Sequence, residues 1–375
     1  MDKTKKLIVV SAVNLNIGGT LTILQDCLSY LSQLALEGNY RIIALVHKKS
    51  LAEFANIEYI ELPWAKKKWV NRLWCEYVTM RGISKRKGPV YLWLSLHDTT
   101  PNVLAERRAV YCHNPFPFYP TKLRDLFLNY KIFMFSMFSY FIYRINIHKN
   151  NYLVVQQEWI RNAFIRMFHV KESQIIVANP SQVDSDLSSL KQFNKDKYYF
   201  LFPSSANIHK NFETLCEAAK LLEKEIGKDR FQVIITILGD ENKYAQWLYK
   251  KWGMVSSINF VGFLSKEKLY EYYQMADCLV FPSKVETWGL PISEFMNMER
   301  PMLLADLPYA YETAAGSLRT AFFPATDALN LKNKMRQLIE GDDSFLHPIE
   351  TKSINEPTAY SWQELFDKLL NEKTN

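Results

Sequence analysis

Two doubly wound α/β domains in tandem, each a parallel sheet with helices on both faces, are the fold class this sequence predicts. Three observations predict it. Short apolar runs alternate with helix-patterned stretches from 198 to 340, the first half repeats that alternation more loosely, and 375 residues exceed what one ordinary core organises. The strand-like runs are continuously apolar rather than alternating, which marks sheets buried on both faces. Hydrophobic content of 48% and charge of 23% are those of a globular chain. The five scattered cysteines lack any Cys-x-x-Cys pair, which argues against a disulfide framework or zinc ribbon and for a reducing compartment.

In chain order, the first strand is expected over Leu7–Val13. Lysines ahead of this run imitate a secretory leader, but it spans only seven residues and flows into Asn14-Leu-Asn-Ile-Gly18-Gly19. A strand followed by a glycine turn fits better, with a helix continuing through Leu21, Leu24 and Leu28. Further strands are expected at Arg41–Val46, Val90–Ser95, Ala109–Cys112, Tyr152–Val155 and Ile175–Ala178. The polar stretch from Ser181 to Ser189, after Asn179-Pro180, reads as the linker. A second set of strands follows at Tyr198–Phe202, Gln232–Leu238, Ile258–Val261, Cys278–Phe281 and Met302–Ala305. Between them, Leu215, Ala218, Ala219 and Leu222 form one apolar helix face. The last element is an amphipathic helix over Tyr360–Leu370, begun by Ser361 as N-cap. The expected domains are 1–185, completed by 358–375, and 196–357, their strand ends opening onto a cleft.

Charge is unevenly placed. Residues 64–149 hold 15 Lys/Arg against 4 Asp/Glu, so this segment carries +11 of a net +7 and the remainder carries −4. An anionic partner is expected near it. The segment mixes Trp64, Trp69 and Trp74 with Lys66-Lys67-Lys68, and adds Ser84-Lys-Arg-Lys87. Further on, Ile132–Tyr143 is twelve residues without a charge, too short to span a bilayer. It is either a buried core helix or an interfacial one. The asymmetry favours peripheral attachment to an anionic membrane surface, the inner face of the plasma membrane for a cytoplasmic protein. A nucleic-acid role is set aside, because the segment matches no RNP or zinc module.

The densest chemistry lies in Glu286-Thr-Trp-Gly-Leu-Pro-Ile-Ser-Glu294. It follows the apolar run Asp277–Pro282 and leads into a helix, with Pro291 where the first helical residue is expected. Amides from Gly289 to Ser293 would then face an anion, and Gly289 lets a phosphate approach the backbone. Two carboxylates flanking such a site suit hydroxyls better than phosphate, so Glu286 and Glu294 are expected to accept hydrogen bonds from hydroxyls, for which ribose and hexose diols are suitable donors. The plain alternative is two solvated glutamates at a helix end.

Glu286–Glu294, Ile208-His-Lys-Asn211, Val261-Gly-Phe-Leu-Ser265, Ala305-Asp-Leu-Pro-Tyr-Ala310 and the final Tyr-Ser-Trp helix together resemble the family 4 glycosyltransferases of the GT-B fold. Gly18-Gly19 and Tyr111-Cys-His113-Asn-Pro115 carry the likeness, more sparsely, into the first half. The resemblance implies a donor nucleotide-sugar held mainly by the second domain, a saccharide acceptor held mainly by the first, and a final helix crossing back to the first. It implies a hexose moved from a GDP- or UDP-sugar with retention of configuration, without metal or other cofactor. Surface polysaccharide enzymes resemble the His-Asn-Pro-Phe-Pro segment, which suggests a lipid-linked acceptor in O-antigen or capsule assembly.

Under that resemblance Lys210 is expected to neutralise the departing diphosphate, Glu286 to face the hexose, Glu294 the ribose, and His113 the transferred sugar. Gly239, Phe263, Leu264, Gly289 and Leu290 take donor-loop positions. Gly18-Gly19 is either a phosphate-approaching turn or a simple tight turn. Where the family often has an arginine, this chain has Ser204-Ser-Ala206, which leaves one phosphate-neutralising charge unassigned. Asp98 is the best candidate general base of the first half, but its location also suits a structural turn. Asp184-Ser-Asp186 imitates a metal-binding pair of another glycosyltransferase fold and is set aside because it falls in the linker. The same fold also serves nucleotide-sugar epimerases and inactive partner subunits, which remain alternatives.

Overall fold

The computed structural model describes residues 5–16, 18–180 and 196–371. The linker, with Asp184 and Asp186 in it, lies outside the described residues. Among those described, the strands form two sheets and every strand pairing is parallel. Two compact units result: 1–114 with 138–181 and 354–375, and 115–137 with 182–353.

The first unit is built on β1 (Lys6–Ala12), β2 (Tyr40–Val46), β3 (Ile57–Glu61), β4 (Leu92–Ser95), β5 (Arg107–Cys112), β6 (Tyr152–Val155) and β7 (Ile175–Ala178). In the second lie β8 (Tyr198–Phe202), β9 (Phe231–Ile235), β10 (Ile258–Phe260), β11 (Cys278–Phe281), β12 (Met302–Ala305) and β13 (Thr320–Phe323), before the chain returns to the first as β14 (Thr358–Ala359). The orders are β14-β7-β6-β5-β4-β1-β2-β3 and β10-β9-β8-β11-β12-β13. Each order reverses direction once, between β1 and β4 and between β8 and β11. Open parallel sheets bind ligands beyond the carboxyl ends of the strands at such a reversal.

The apolar strands bury both of their faces, as their composition predicts. In the first unit Ile8, Val10, Ile42, Ala44 and Leu94 point into one core, packed by helix Gly18–Leu34 through Leu24, Cys27, Leu28 and Leu31. Leu7, Val9, Ile43, Leu45 and Trp93 point into the other, closed by Leu62, Cys75, Met80 and Ile83. Helix Trp362–Leu370 seals the first core with Leu365, Phe366 and Leu369, and Phe366 stacks on Tyr30 at 5.3 Å. Ser361 caps that helix by accepting the Glu364 amide, 3.1 Å. Tyr91 donates its hydroxyl to the Leu370 carbonyl, 2.5 Å, and Arg107 donates to that of Leu369, 3.0 Å. The final helix thus crosses back to the first domain, as the resemblance implies.

Residues 115–137 come from the first half of the chain yet pack within the second unit. Arg124 bonds Glu213 at 2.6 Å and lies over the Trp247 ring, 5.2 Å away. Helix Tyr130–Arg144 contains the uncharged stretch and buries only Ser139 and Tyr143. Met134, Met137, Phe138 and Phe141 are exposed, so it is not a core helix. Among the described residues no helix is long and apolar enough to cross a membrane.

Candidate active site

At the β8/β11 reversal, the loops leaving those two strands are sewn together by backbone and amide bonds. The loop after β8 ends in a 3-10 turn, Ile208–Lys210, and then Asn211 in a left-handed conformation at φ 59°. Asparagine tolerates that backbone better than most residues. Its side chain donates to the carbonyls of Pro282 (2.9 Å) and Ala325 (2.7 Å) and accepts from the Thr214 hydroxyl (3.0 Å). The Lys284 amide donates to the His209 carbonyl, 2.7 Å.

This sewing sets Lys210 against Glu286. Nζ lies 2.6 Å from Oε1, and the side chains are 16% and 9% exposed. The Phe281 ring, 5.7 Å from the ammonium, floors the pair. The sequence motifs give the two residues separate roles, on phosphate and on sugar. The structure brings them together, so each charge compensates the other.

Gly289 sits at φ 97° and caps helix Leu290–Met296, so Pro291 is its second residue rather than its first. A side chain at 289 would be strained by that φ and would also press on Ile292, 3.3 Å from the added carbon. Ile292 spends its amide on the Gly289 carbonyl at 2.9 Å, and proline has no N–H, so two of the five positions expected to face an anion do not offer a donor. Glu294 is half-buried and accepts the Tyr273 hydroxyl at 2.7 Å. Burial and then Glu294 hold that phenol well above its ordinary value, so it stays a donor.

The remaining second-unit candidates gather beyond β9 and β10, next to β8. Gly239 has φ 101°, and a side chain there would meet the Tyr249 Cβ at 2.6 Å. The amides of Leu238 and Gly239 donate to the Glu241 carboxylate at 2.6 and 2.9 Å. The Gly262 amide reaches back to the Ile237 carbonyl, 3.3 Å, which sets Phe263 and Leu264 beside that loop. Phe263 is 93% exposed and Leu264 half-buried.

Gly18, Gly19 and His113 belong to the first unit. Gly18 opens its helix at φ 60° just beyond β1. His113 is buried directly after β5; its Nε2 donates to the Leu96 carbonyl (2.6 Å) and its amide donates to Asp98 (2.8 Å). Asp98, at φ 72°, therefore acts structurally, tying the loop after β4 to His113.

Two features escaped sequence reasoning. One is His209, buried edge-on to Phe116 at 5.0 Å and Tyr119 at 6.5 Å. Burial, with Lys210 and Lys284 beside it, holds this imidazole well below its ordinary value. The folded state therefore keeps it neutral, while the unfolded chain takes a proton near pH ~6.5. As pH falls through that value, the unfolded state binds the extra proton and stability is lost, by up to ~1.4 kcal/mol per pH unit. Urea midpoints of the second unit between pH 7 and 5 are expected to fall steeply in the parent chain and less in His209→Gln. Equal slopes would refute the assignment.

The other feature is a buried polar network at the β1/β4 reversal. Glu76 bonds Arg72 Nε (2.7 Å) and the Thr99 hydroxyl (2.6 Å), and lies 3.3 Å from His97 Nδ1. Ser11 sits 2.9 Å from His97 Nε2 and accepts the Trp93 indole N–H at 3.1 Å. Arg72 also donates to the His97 carbonyl, 2.6 Å. One sequence signal could have found it: Glu76 is the sole acid between Glu61 and Asp98.

Residues 186–353 match the family profile "Glycosyl transferases group 1". This stretch of the chain is similar to the group 1 glycosyl transferases. It contains Lys210, Glu286, Glu294 and every donor-loop candidate of the second unit. The EpsD protein of Bacillus subtilis strain 168 is 32% identical over 114 residues, 30% of this chain and 29% of EpsD. The O-antigen chain mannosyltransferase RfbU of Salmonella typhimurium is 23% identical over 219 residues, 58% of this chain and 56% of RfbU. The matches thus span under two thirds of these relatives' length. Among solved structures, Anabaena HepE in complex with UDP and glucose superposes with TM-score 0.64 at 13% identity, covering 90% of this chain and 91% of HepE. A glycosyltransferase of Rickettsia africae gives 0.59 at 15%, covering 91% and 92%. The chain thus has a GT-B fold. Among the described residues, no group of three or more His, Cys, Asp or Glu is placed to hold a metal ion.

Proposed function

We propose that this chain transfers a hexose from a GDP- or UDP-sugar to a lipid-linked saccharide, with retention of anomeric configuration, at an anionic membrane face. The observation that carries the reading is the Lys210–Glu286 pair at the β8/β11 reversal, inside the stretch similar to the group 1 glycosyl transferases. Breaking the glycosidic C–O bond leaves both bonding electrons on the diphosphate. Lys210 meets that developing charge in a site with little water, where a fixed cation is worth most, so no metal is needed on the diphosphate. Glu286, released from Lys210 by the phosphate, accepts from a hexose hydroxyl, and Glu294 accepts from the ribose. The departing phosphate oxygen takes the acceptor's proton on the face from which it left, which preserves the anomeric configuration. RfbU is a mannosyltransferase, so mannose is the first hexose to try.

Incubation with GDP-mannose and UDP-hexoses, with NMR of the product, tests the reading. Nucleotide is expected to be released only when acceptor is present, and the product is expected to keep the donor's anomeric configuration. An inverted product defeats the mechanism, and release without acceptor favours another reaction. Glu294→Ala is expected to weaken free-nucleotide binding about tenfold or more, one charge-assisted hydrogen bond being worth ~1.5–3 kcal/mol. Glu286→Ala should spare free-nucleotide affinity and lower transfer; equal losses of affinity in both would mean the roles are wrongly divided.

A further inference from the structure

The most basic stretch of the first unit folds inside out. Residues Trp69–Lys87 form one helical run, α over Trp69–Trp74, π over Cys75–Thr79 and α over Met80–Lys87. Its inward side carries Cys75, Met80 and Ile83, but also Glu76 at 1% exposure with Arg72 bonded to it. Its outward side carries Trp69 (48% exposed), Val70 (72%), Leu73 (40%), Trp74 (60%) and Val78 (46%). An ion pair inside and tryptophans outside reverse the usual allocation, and a buried charge or an exposed apolar patch is the informative exception. The π turn falls at Glu76, and such turns are frequent at functional sites.

We infer that this outward face is the membrane-docking surface, seating on anionic phospholipid headgroups. The inference rests on the proposed reaction at a membrane. Charge selects lipid as the occupant. From Leu62 to His97 the chain has eight Lys/Arg and one acid, and that acid is Glu76, which is buried. What faces solvent around the tryptophans is therefore cationic, with Lys67, Lys68, Arg81, Lys85 and Arg86 all exposed. Tryptophan settles at the headgroup level of a bilayer, and lysine stems extend along apolar surface while their heads stay in water. The Arg72–Glu76 pair and its bonds to His97 and Thr99 hold the helix from behind. The face is thus a preformed plate rather than a segment that folds on contact, and docking avoids the cost of ordering it.

Flotation of the full chain on phosphatidylcholine vesicles, with and without phosphatidylglycerol, tests the surface. The parent chain is expected to float only with the anionic lipid and to detach as salt rises. Trp69→Ser/Trp74→Ser and Lys67→Glu/Lys68→Glu are each expected to weaken binding about tenfold or more, while leaving the melting transition in place. Phe138→Ser/Phe141→Ser, on the other exposed apolar helix, should bind as the parent does. If the parent never floats, the membrane reading itself fails. If it floats and the tryptophan variant floats equally, or only the phenylalanine variant is lost, the membrane reading stands and this surface is refuted. A random oligonucleotide that binds the same face and displaces the vesicles would also overturn the assignment.

Discussion

Lys210→Ala is expected to lower transfer by about a hundredfold to a thousandfold, the usual loss when one preorganised charge-stabilising donor is removed. Most of that loss should fall on kcat, because in the proposed reaction the charge Lys210 meets is largest once the sugar–phosphate bond has broken. The geometry adds a second effect. Glu286 is 7% exposed and loses the cation bonded to it, so the variant should also lose about 3 kcal/mol of stability. Removing both partners, Lys210→Ala/Glu286→Ala, should recover much of the stability and none of the activity. A lysine that merely ended a turn would give neither the kcat loss nor that recovery. Steady-state kinetics and urea midpoints on the three chains decide between the two.

Glu76→Gln is expected to have the largest effect on stability in the first unit, about 3–5 kcal/mol, because it leaves Arg72 without its counterion in a dry site. Burial alone would raise the Glu76 carboxyl. The positive charge of His97 when protonated, that of Arg72, and hydrogen bonds from Thr99 and Arg72 outweigh burial and hold the carboxyl below its usual range. Burial holds His97 below its ordinary value against the pull of Glu76, so near neutral pH Arg72 is the partner that matters. A depressed carboxylate stabilises above its unfolded pKa, and that contribution disappears as pH falls through the lower folded value. The parent should therefore lose an acid-sensitive share of its stability below pH ~4.3, and Glu76→Gln should lack that share. Amide exchange of β1 and β4 in a urea and pH series measures both; unchanged exchange in the variant would refute the network's role.

Strands buried on both faces were the most legible part of the fold. Tyr152–Val155, Cys278–Phe281 and Met302–Ala305 fall where their unbroken apolar runs place them. The run after Gln232 reads as strand to Leu238, but the structure ends β9 at Ile235. There the Thr236 hydroxyl exchanges bonds with Ser204, and Glu241 takes the amides of Leu238 and Gly239. Such competition from side chains leaves no trace in hydrophobic pattern. β3 went unread because Ile57-Glu-Tyr-Ile-Glu61 is an edge strand and its polar positions dilute the apolar signal. β14 has two residues, too few for any period.

At the site, residue types were legible and partnerships were not. Lys210 and Glu286 stand 76 positions apart, and only the pairing of β8 with β11 makes them neighbours. Asn211 is visible in the sequence as part of a motif. Its work of tying the loops after β8, β11 and β13 depends on carbonyls that every residue possesses, so composition cannot announce it. His97 and Glu76 were hidden for the opposite reason. Histidine and glutamate on a basic segment read as surface, and the π turn that brings Glu76 inward carries no sequence signature.

The strand Thr358–Ala359 and the helix behind it give the chain an assembly schedule. Every residue of the second unit leaves the ribosome before the segment that finishes the first sheet and seals its core. The unit begun first is therefore completed last. Until then β7 has an open edge, and Leu24, Leu28 and Leu31 lack the Leu365, Phe366 and Leu369 that share their core. The nascent protein carries the whole second unit while the first is still unsealed, and one short strand and one helix close it.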